Sequence, residues 1–180
     1  MNPHTVFTPH RVRNTLDAGE VRRYHAVPSV RPQSVGLHSW GVAVLCIYLL
    51  ENDVSAQLLK EAIMHDTAEL FTGDVPYTVK RDLKDVKERF DMLETHVRNE
   101  YMLLPRQQLS KKEEAVLKLA DTLDGLFWCV KYETNGPVGG RWYGALDTCF
   151  AKFEPLFAGT GILERAKSLV EQVKSEPHAP

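Results

Sequence analysis

"AIMHDTAELFTGDVP", residues 62 to 76, sets His65 and Asp66 side by side in a stretch patterned as a buried helix. Glu69 follows one turn later, and Asp74 follows Gly73 at a turn. A buried carboxylate is costly unless it is paired or bound to a metal. Ionisable groups at core positions of a helix therefore point to a site carried by the core itself. Helical patterning extends from this stretch in both directions, with no β-rich block and no internal repeat. It predicts an all-α helical bundle.

On the N-terminal side, a short helix is expected over 14–25. The loop "AVPSVRPQS" follows and ends in Ser34, a candidate N-cap. A helix over about 35–51 then carries Val35, His38, Val42, Leu45 and Leu49, alternately three and four apart on one stripe. Ser55 reads as the N-cap of a third helix whose apolar face is Leu58, Leu59, Ala62 and Ile63. That helix is expected to run on to the glycine–proline stop at "FTGDVP".

On the C-terminal side, a charged helix is expected over 79–103 with the stripe Leu83, Val86, Phe90, Leu93, Val97 and Tyr101, ended by Pro105. Ser110 and Glu113 have capping-box spacing at the head of a helix reaching about Glu133. "TNGPVGG" reads as a loop. Helices at about 140–157 and 161–174 close the chain, with a flexible tail over 175–180. No linker separates a second unit, so residues 1–180 are expected to form a single domain with its core at about 11–158.

Composition narrows the class. The chain has 180 residues, 43% apolar and 26% charged, as in a soluble globular domain. A net charge of −2 gives no global basic field, so no nucleic-acid partner is expected and any anion site must be built locally. Cys46, Cys129 and Cys149 form no C-x-x-C pair and read as reduced core residues of a cytoplasmic protein. The N-terminus has no apolar signal region. The longest apolar run, Val42 to Leu50, is nine residues, against the roughly 20 that span a bilayer. No membrane association is expected.

Four positions conflict with their surroundings. His38 lies on a buried stripe, His65 and Asp66 lie in an apolar helix, and Asp121 sits among Leu117, Leu119, Ala120 and Leu123. Taken alone, His38 reads as a hydrogen-bonded core histidine, and Asp121 with Asp124 as a polar helix edge. Together, two histidines and two aspartates from three helices could meet in a bundle and bind one divalent cation. Nitrogen and oxygen donors without thiolate suit Zn, Mn, Fe, Co or Ni, and Mg is retained as a candidate. Glu69, four residues after His65, is the candidate for orienting water and moving its proton.

The order H…HD…D resembles the HD-domain metal-dependent phosphohydrolases. "HDTAELFTGDVPYTVK", residues 65 to 80, is similar to the HD-x-x-E-x-x-x-G-D-x-P block of the YfbR-like 5′-deoxynucleotidase subfamily. "RRYHAVPSVRPQSVGLHSW", residues 22 to 40, resembles small phage-encoded HD proteins that include dATP triphosphohydrolases. The matching blocks cover about residues 15 to 130. The resemblance implies an HD-domain bundle, with His38, His65, Asp66 and Asp121 as metal ligands and Glu69 and Asp74 as catalytic groups. It implies that Arg23 contacts phosphate or sugar. Lys80 and Lys118 are further cations, and Tyr24, His25 and Pro76 are candidate walls of a base pocket. A tryptophan commonly stands at the place of Tyr24 in the bacterial enzymes.

The expected function is hydrolysis of a deoxynucleotide, with dATP giving deoxyadenosine and triphosphate. Hydrolysis of dAMP and its analogues by a 5′-deoxynucleotidase is the second reading, and a non-catalytic HD binding module the third. Glu69 and Asp74 argue against the third, because metal binding alone needs neither. The resemblance also implies a homo-oligomer, a dimer or a ring-like hexamer.

Overall fold

The computed structural model describes residues 7–25, 27, 29–75, 84–132 and 138–175. Apart from one two-residue ladder, the regular structure among them is helical. Helix α1 (Pro9–Ala18) starts at Thr8, whose hydroxyl accepts the Arg11 N–H at 3.3 Å, with proline in the first turn. The helix therefore lies N-terminal of the expected 14–25. Threonine followed by proline is a start signal that the apolar pattern does not reveal. Within "VRRYH" the arginines are extended instead: β1 (Arg22–Arg23) pairs antiparallel with β2 (Gln33–Ser34), Arg23 opposite Gln33.

Helix α2 (Val35–Leu50) follows the expected pattern. Ser34 accepts the Leu37 N–H at 3.2 Å, and Val35, His38, Val42, Leu45 and Leu49 are all buried. The stretch Val35–Asp53 is by length and composition apolar enough to cross a membrane, which the nine-residue count understated. Half of it is buried inside this fold, where it forms the central helix of the core.

Helix α3 (Ala56–Met64) is capped by Ser55, which accepts the Leu58 N–H at 3.1 Å. Its buried face differs from the expected one. Leu58 and Ala62 are buried and Ile63 is exposed, with Glu61 and Met64 buried in its place. The helix also stops at Met64, so His65 and Asp66 stand on a turn. Thr67 N–H donates to Met64 O at 3.1 Å and Glu69 N–H to Asp66 O at 3.0 Å, tightening the chain to three-residue bonds. The side chains of His65 and Thr67 take the carbonyls of Ala62 and Met64. Helix α4 (Glu69–Thr72) follows and ends at Gly73, whose φ of 70° suits glycine.

Helix α5 (Lys84–Tyr101) buries Val97 and Arg98 but leaves Leu93 and Tyr101 exposed, so the expected stripe is shifted. Leu83 and the rest of 79–83 lie outside the described residues. Helix α6 (Lys111–Tyr132) opens on the expected capping box, with Ser110 N–H donating to Glu113 Oε2 at 2.9 Å and Glu113 N–H to Ser110 Oγ at 3.3 Å. Helix α7 (Val138–Phe157) takes in the last two of the three glycines of "TNGPVGG", and α8 (Ile162–Ser175) closes the fold. Of the expected tail over 175–180, Ser175 ends α8 and residues 176–180 lie outside the described residues.

Two apolar clusters hold these elements. The larger joins α2, α3, α6, α7 and α8 through residues such as Leu49, Leu58, Leu119, Leu126, Phe157 and Ile162. The smaller joins Met64, Ala68, Val97 and Met102. Met64 and Ala68 bracket the His65–Thr67 turn, so α5 packs directly against the segment that carries it.

A buried ion pair adds to that contact. Arg98 donates to both Glu61 oxygens, at 2.5 and 2.9 Å, and to Pro105 O at 3.3 Å, while Gln107 N–H donates to Glu61 Oε2 at 2.8 Å. Burial opposes the Glu61 charge, but the Arg98 hydrogen bonds and charge outweigh it and hold the carboxyl below its usual pKa. Arg98→Ala would leave that carboxylate buried without its partner and should cost about 3–5 kcal/mol at pH 7. A folded-state pKa below the unfolded one gives stability that is present above the unfolded pKa, about 4.3. That stability is lost as pH falls through the folded value. Urea unfolding of the two proteins should therefore show the deficit of the variant narrowing in acid. A deficit under about 1 kcal/mol at pH 7 would show that the pair does not brace α3.

Candidate metal centre

Three elements bring the expected donors together. His38 comes from the second turn of α2, His65 and Asp66 from the turn after α3, and Asp121 from the middle of α6. Among the described residues, donor atoms of His38, His65 and Asp121 lie within 4.8 Å of one another. His38 Nε2 is 3.2 Å from His65 Nε2, 3.4 Å from Asp66 Oδ2 and 3.3 Å from Asp121 Oδ1. His65 Nε2 is 3.4 Å from Asp66 Oδ2.

The outward hydrogen bonds of the imidazoles fix what they present inward. His65 Nδ1 meets the Ala62 carbonyl at 2.9 Å, which can only accept, so this nitrogen carries the proton. His38 Nδ1 meets Asp124 Oδ2 at 2.7 Å. Each ring in its neutral form therefore turns its Nε2 lone pair inward, towards the other ring and two carboxylates. Such a cluster repels itself unless a positive charge enters it. The spacing suits a metal: donors bound tetrahedrally at about 2.0–2.1 Å sit roughly 3.3 Å apart. The residues thus fit a divalent cation in both donor type and separation.

The electrostatics agree. Burial opposes ionisation of Asp121, but Lys118, His38 and Arg23 hold it well below the usual carboxylate range. Burial likewise opposes the Asp66 charge, and His65, Arg23 and His38 outweigh it. Both aspartates are ionised at neutral pH. Burial and Arg23 disfavour a charged His38, yet Asp121, Asp124 and Asp66 raise its pKa, so the pocket favours positive charge there.

The expected cations flank Asp121. Arg23 Nη2 is 3.9 Å from Asp121 Oδ1, and Lys118 Nζ donates to Asp121 Oδ2 at 2.8 Å. The charge of Glu69, buried at the start of α4, also acts on Arg23. Asp74 lies against the arginine's own segment: its carboxylate accepts the Tyr24 N–H at 3.1 Å and is 3.8 Å from His25 Nδ1. Tyr24 has a φ of 62°, a left-handed conformation that costs a non-glycine residue roughly 1–2 kcal/mol, and the bond from Asp74 supports it. Pro76 and Lys80 lie outside the described residues.

Two polar partners were not foreseen as part of the site, Asp124 behind His38 and Gln33 between Asp124 and Arg23. One signal was available. Gly41 interrupts an apolar helix one turn after His38, and a Cβ there would come within 2.0 Å of Asp124 Oδ1. A glycine inside a helix marks such a close approach.

Residues 17–137 match the family described as 5′-deoxynucleotidase YfbR-like. The chain belongs to this family. Among its relatives is a dATP triphosphohydrolase of Salmonella phage PMBT28, 30% identical over 132 residues, which are 67% of this chain and 66% of the phage protein. The chain thus spans just under two thirds of the length of that relative. A 5′-deoxynucleotidase of Erwinia tasmaniensis is 28% identical over 154 residues, 74% of this chain and 76% of that protein. The YfbR-like chain also shares its fold with the cyanophage S-2L HD phosphohydrolase, whose structure holds dA and one catalytic Zn2+ ion. The TM-score is 0.63 at 20% identity, covering 90% of this chain and 93% of the other.

Proposed function

We propose that this YfbR-like protein hydrolyses dATP to deoxyadenosine and triphosphate, using one divalent cation held by His38, His65, Asp66 and Asp121. The observation that carries the reading is the pair of imidazole Nε2 atoms 3.2 Å apart, with His38 Nε2 3.4 Å from Asp66 Oδ2 and 3.3 Å from Asp121 Oδ1. When bound, the cation lowers the pKa of water and polarises the attacked phosphoryl group. Glu69 takes the proton of the attacking water. The water oxygen bonds to the α-phosphorus, the P–O5′ bond breaks, and the proton passes to the 5′-oxygen of deoxyadenosine. Arg23 and Lys118 meet the negative charge of the phosphates. Tyr24 and His25 wall the base, and Asp74 holds the Tyr24 N–H and faces the His25 ring.

The choice of dATP rests on the phage relative and on the two cations beside Asp121. The Erwinia relative favours the second reading, in which dAMP gives deoxyadenosine and phosphate. Incubation with dATP, dAMP and dGTP plus Zn2+, Co2+ or Mn2+, with products separated by chromatography, decides between them. Tripolyphosphate from dATP is expected. Orthophosphate from deoxynucleoside monophosphates with dATP untouched would transfer the activity to the nucleotidase reading.

A homo-oligomer acting in the cytoplasm belongs to the same proposal. Leu37, Trp40, Val44, Ile47 and Tyr48 line the outward face of α2, with Trp40 68% exposed and no charged residue among them. An uncharged face of this kind suits packing against another copy. Light scattering on the purified protein should give a mass above that of one chain, and a monomer at micromolar concentration would contradict it.

A further inference from the structure

Half-buried Asp124 and buried Gln33 form a line behind the site. Asp124 Oδ2 accepts from His38 Nδ1 at 2.7 Å and from Gln33 Nε2 at 2.9 Å. Gln33 is 1% exposed, and its Oε1 accepts from Arg23 Nη1 at 3.4 Å. The backbone fixes both ends. Arg23 and Gln33 are direct partners in the β1–β2 ladder, and Gln33 precedes Ser34, the cap of the helix that carries His38. Gly41 lets Asp124 lie against the α2 backbone, since a Cβ there would collide with it.

We propose that Asp124 and Gln33 are positioning residues that set the His38 donor and the Arg23 guanidinium in one rigid frame. Asp124 acts on His38. Holding Nδ1–H fixes the tautomer and the ring angle, so that Nε2 faces the donor cluster. Gln33 carries the position of the same carboxylate to Arg23. The bridge requires a donor at one end and an acceptor at the other, which a side-chain amide supplies. Glutamate at 33 would set carboxylate against carboxylate, and lysine would face the guanidinium. The consequence is a fixed distance between the metal donors and the group that meets phosphate, which an in-line displacement needs.

The inference rests on the cation reading of the donor cluster, and the test separates the two. Zn2+ affinity is measured by competition with a chromophoric chelator for the unaltered protein, Asp124→Asn and Gln33→Met. KM and kcat are measured with dATP, or with dAMP should that be the ester hydrolysed. Asp124→Asn should weaken Zn2+ binding about 10–100-fold, the scale of a lost carboxylate behind a metal-binding histidine. Gln33→Met should raise KM about three- to tenfold with kcat changed less. The same change should have no effect on KM in an Arg23→Met background, as expected of a residue acting through its neighbour.

Should Asp124→Asn fail to fold, the Gln33 cycle still decides the frame: additive effects with Arg23→Met overturn it. If the unaltered protein binds Zn2+ and both single variants match it in affinity and KM, the inference fails and the cation site stands. If the unaltered protein takes up no Zn2+, both fall.

Discussion

Replacing Asp66 by alanine should give a folded chain that takes up no stoichiometric Zn2+ and shows no measurable turnover. Asp66 Oδ2 lies 3.4 Å from the Nε2 of both His38 and His65, at the spacing of tetrahedral donors. Its charge is held in place by His65, Arg23 and His38 against the cost of burial. Removing it takes away one of the four proposed donors and also one of the negative charges that would attract a divalent cation. Either loss weakens binding, and metal affinity in sites of this size depends steeply on the number of ionised ligands. Fold disruption is not expected, because the apolar clusters around Leu58 and Met64 do not include Asp66. His38→Ala should give the same result from the other side of the cluster. Metal analysis of the dialysed variants, alongside phosphate or tripolyphosphate release, checks both. An Asp66→Ala protein with a full equivalent of metal and ordinary rates would show that the ligand set is wrong.

The sequence made His38, His65 and Asp121 visible because each breaks a helical pattern, and a broken pattern is a local signal. The same holds for Ser34, Ser55 and the Ser110–Glu113 box, whose geometry involves neighbours three residues apart. What remained hidden depends on partners far along the chain. Arg98 reads as a solvated charge on α5 until Glu61, 37 residues earlier, is brought to meet it. The extended Arg22–Arg23 pair reads as the end of a helix until Gln33 and Ser34 lie beside it. Asp124 reads as a polar edge because its partner His38 is 86 residues away. The turn at His65 was obscured for another reason. Its residues have the spacing of an α-helix, and only the competing side-chain bonds to Ala62 O and Met64 O tighten it.

That turn bears on the second large effect, the loss expected from Glu69→Ala. The spacing of four residues predicts Glu69 on the same face of one helix as His65. In the fold, α3 ends at Met64, and the turn over residues 65–68 delivers Glu69 to the start of α4, where it is buried. Its charge acts on Arg23, which is 3.9 Å from the ligand candidate Asp121. Glu69 thus acts on an arginine that borders the donor cluster, and in the proposed reaction an attacking water would pass its proton to Glu69. Truncation to alanine should leave metal content and substrate binding intact and reduce kcat by about 10²–10⁴-fold, the usual scale for a general acid–base group. Glu69→Gln should behave similarly, since it keeps the shape and loses the basicity. The contrast with Asp66→Ala is the useful feature: one variant loses metal and rate together, and the other loses rate alone. Loss of metal in Glu69→Ala would make Glu69 a ligand, and near-normal turnover would remove it from the proton path and leave the attacking water to be activated by the cation alone.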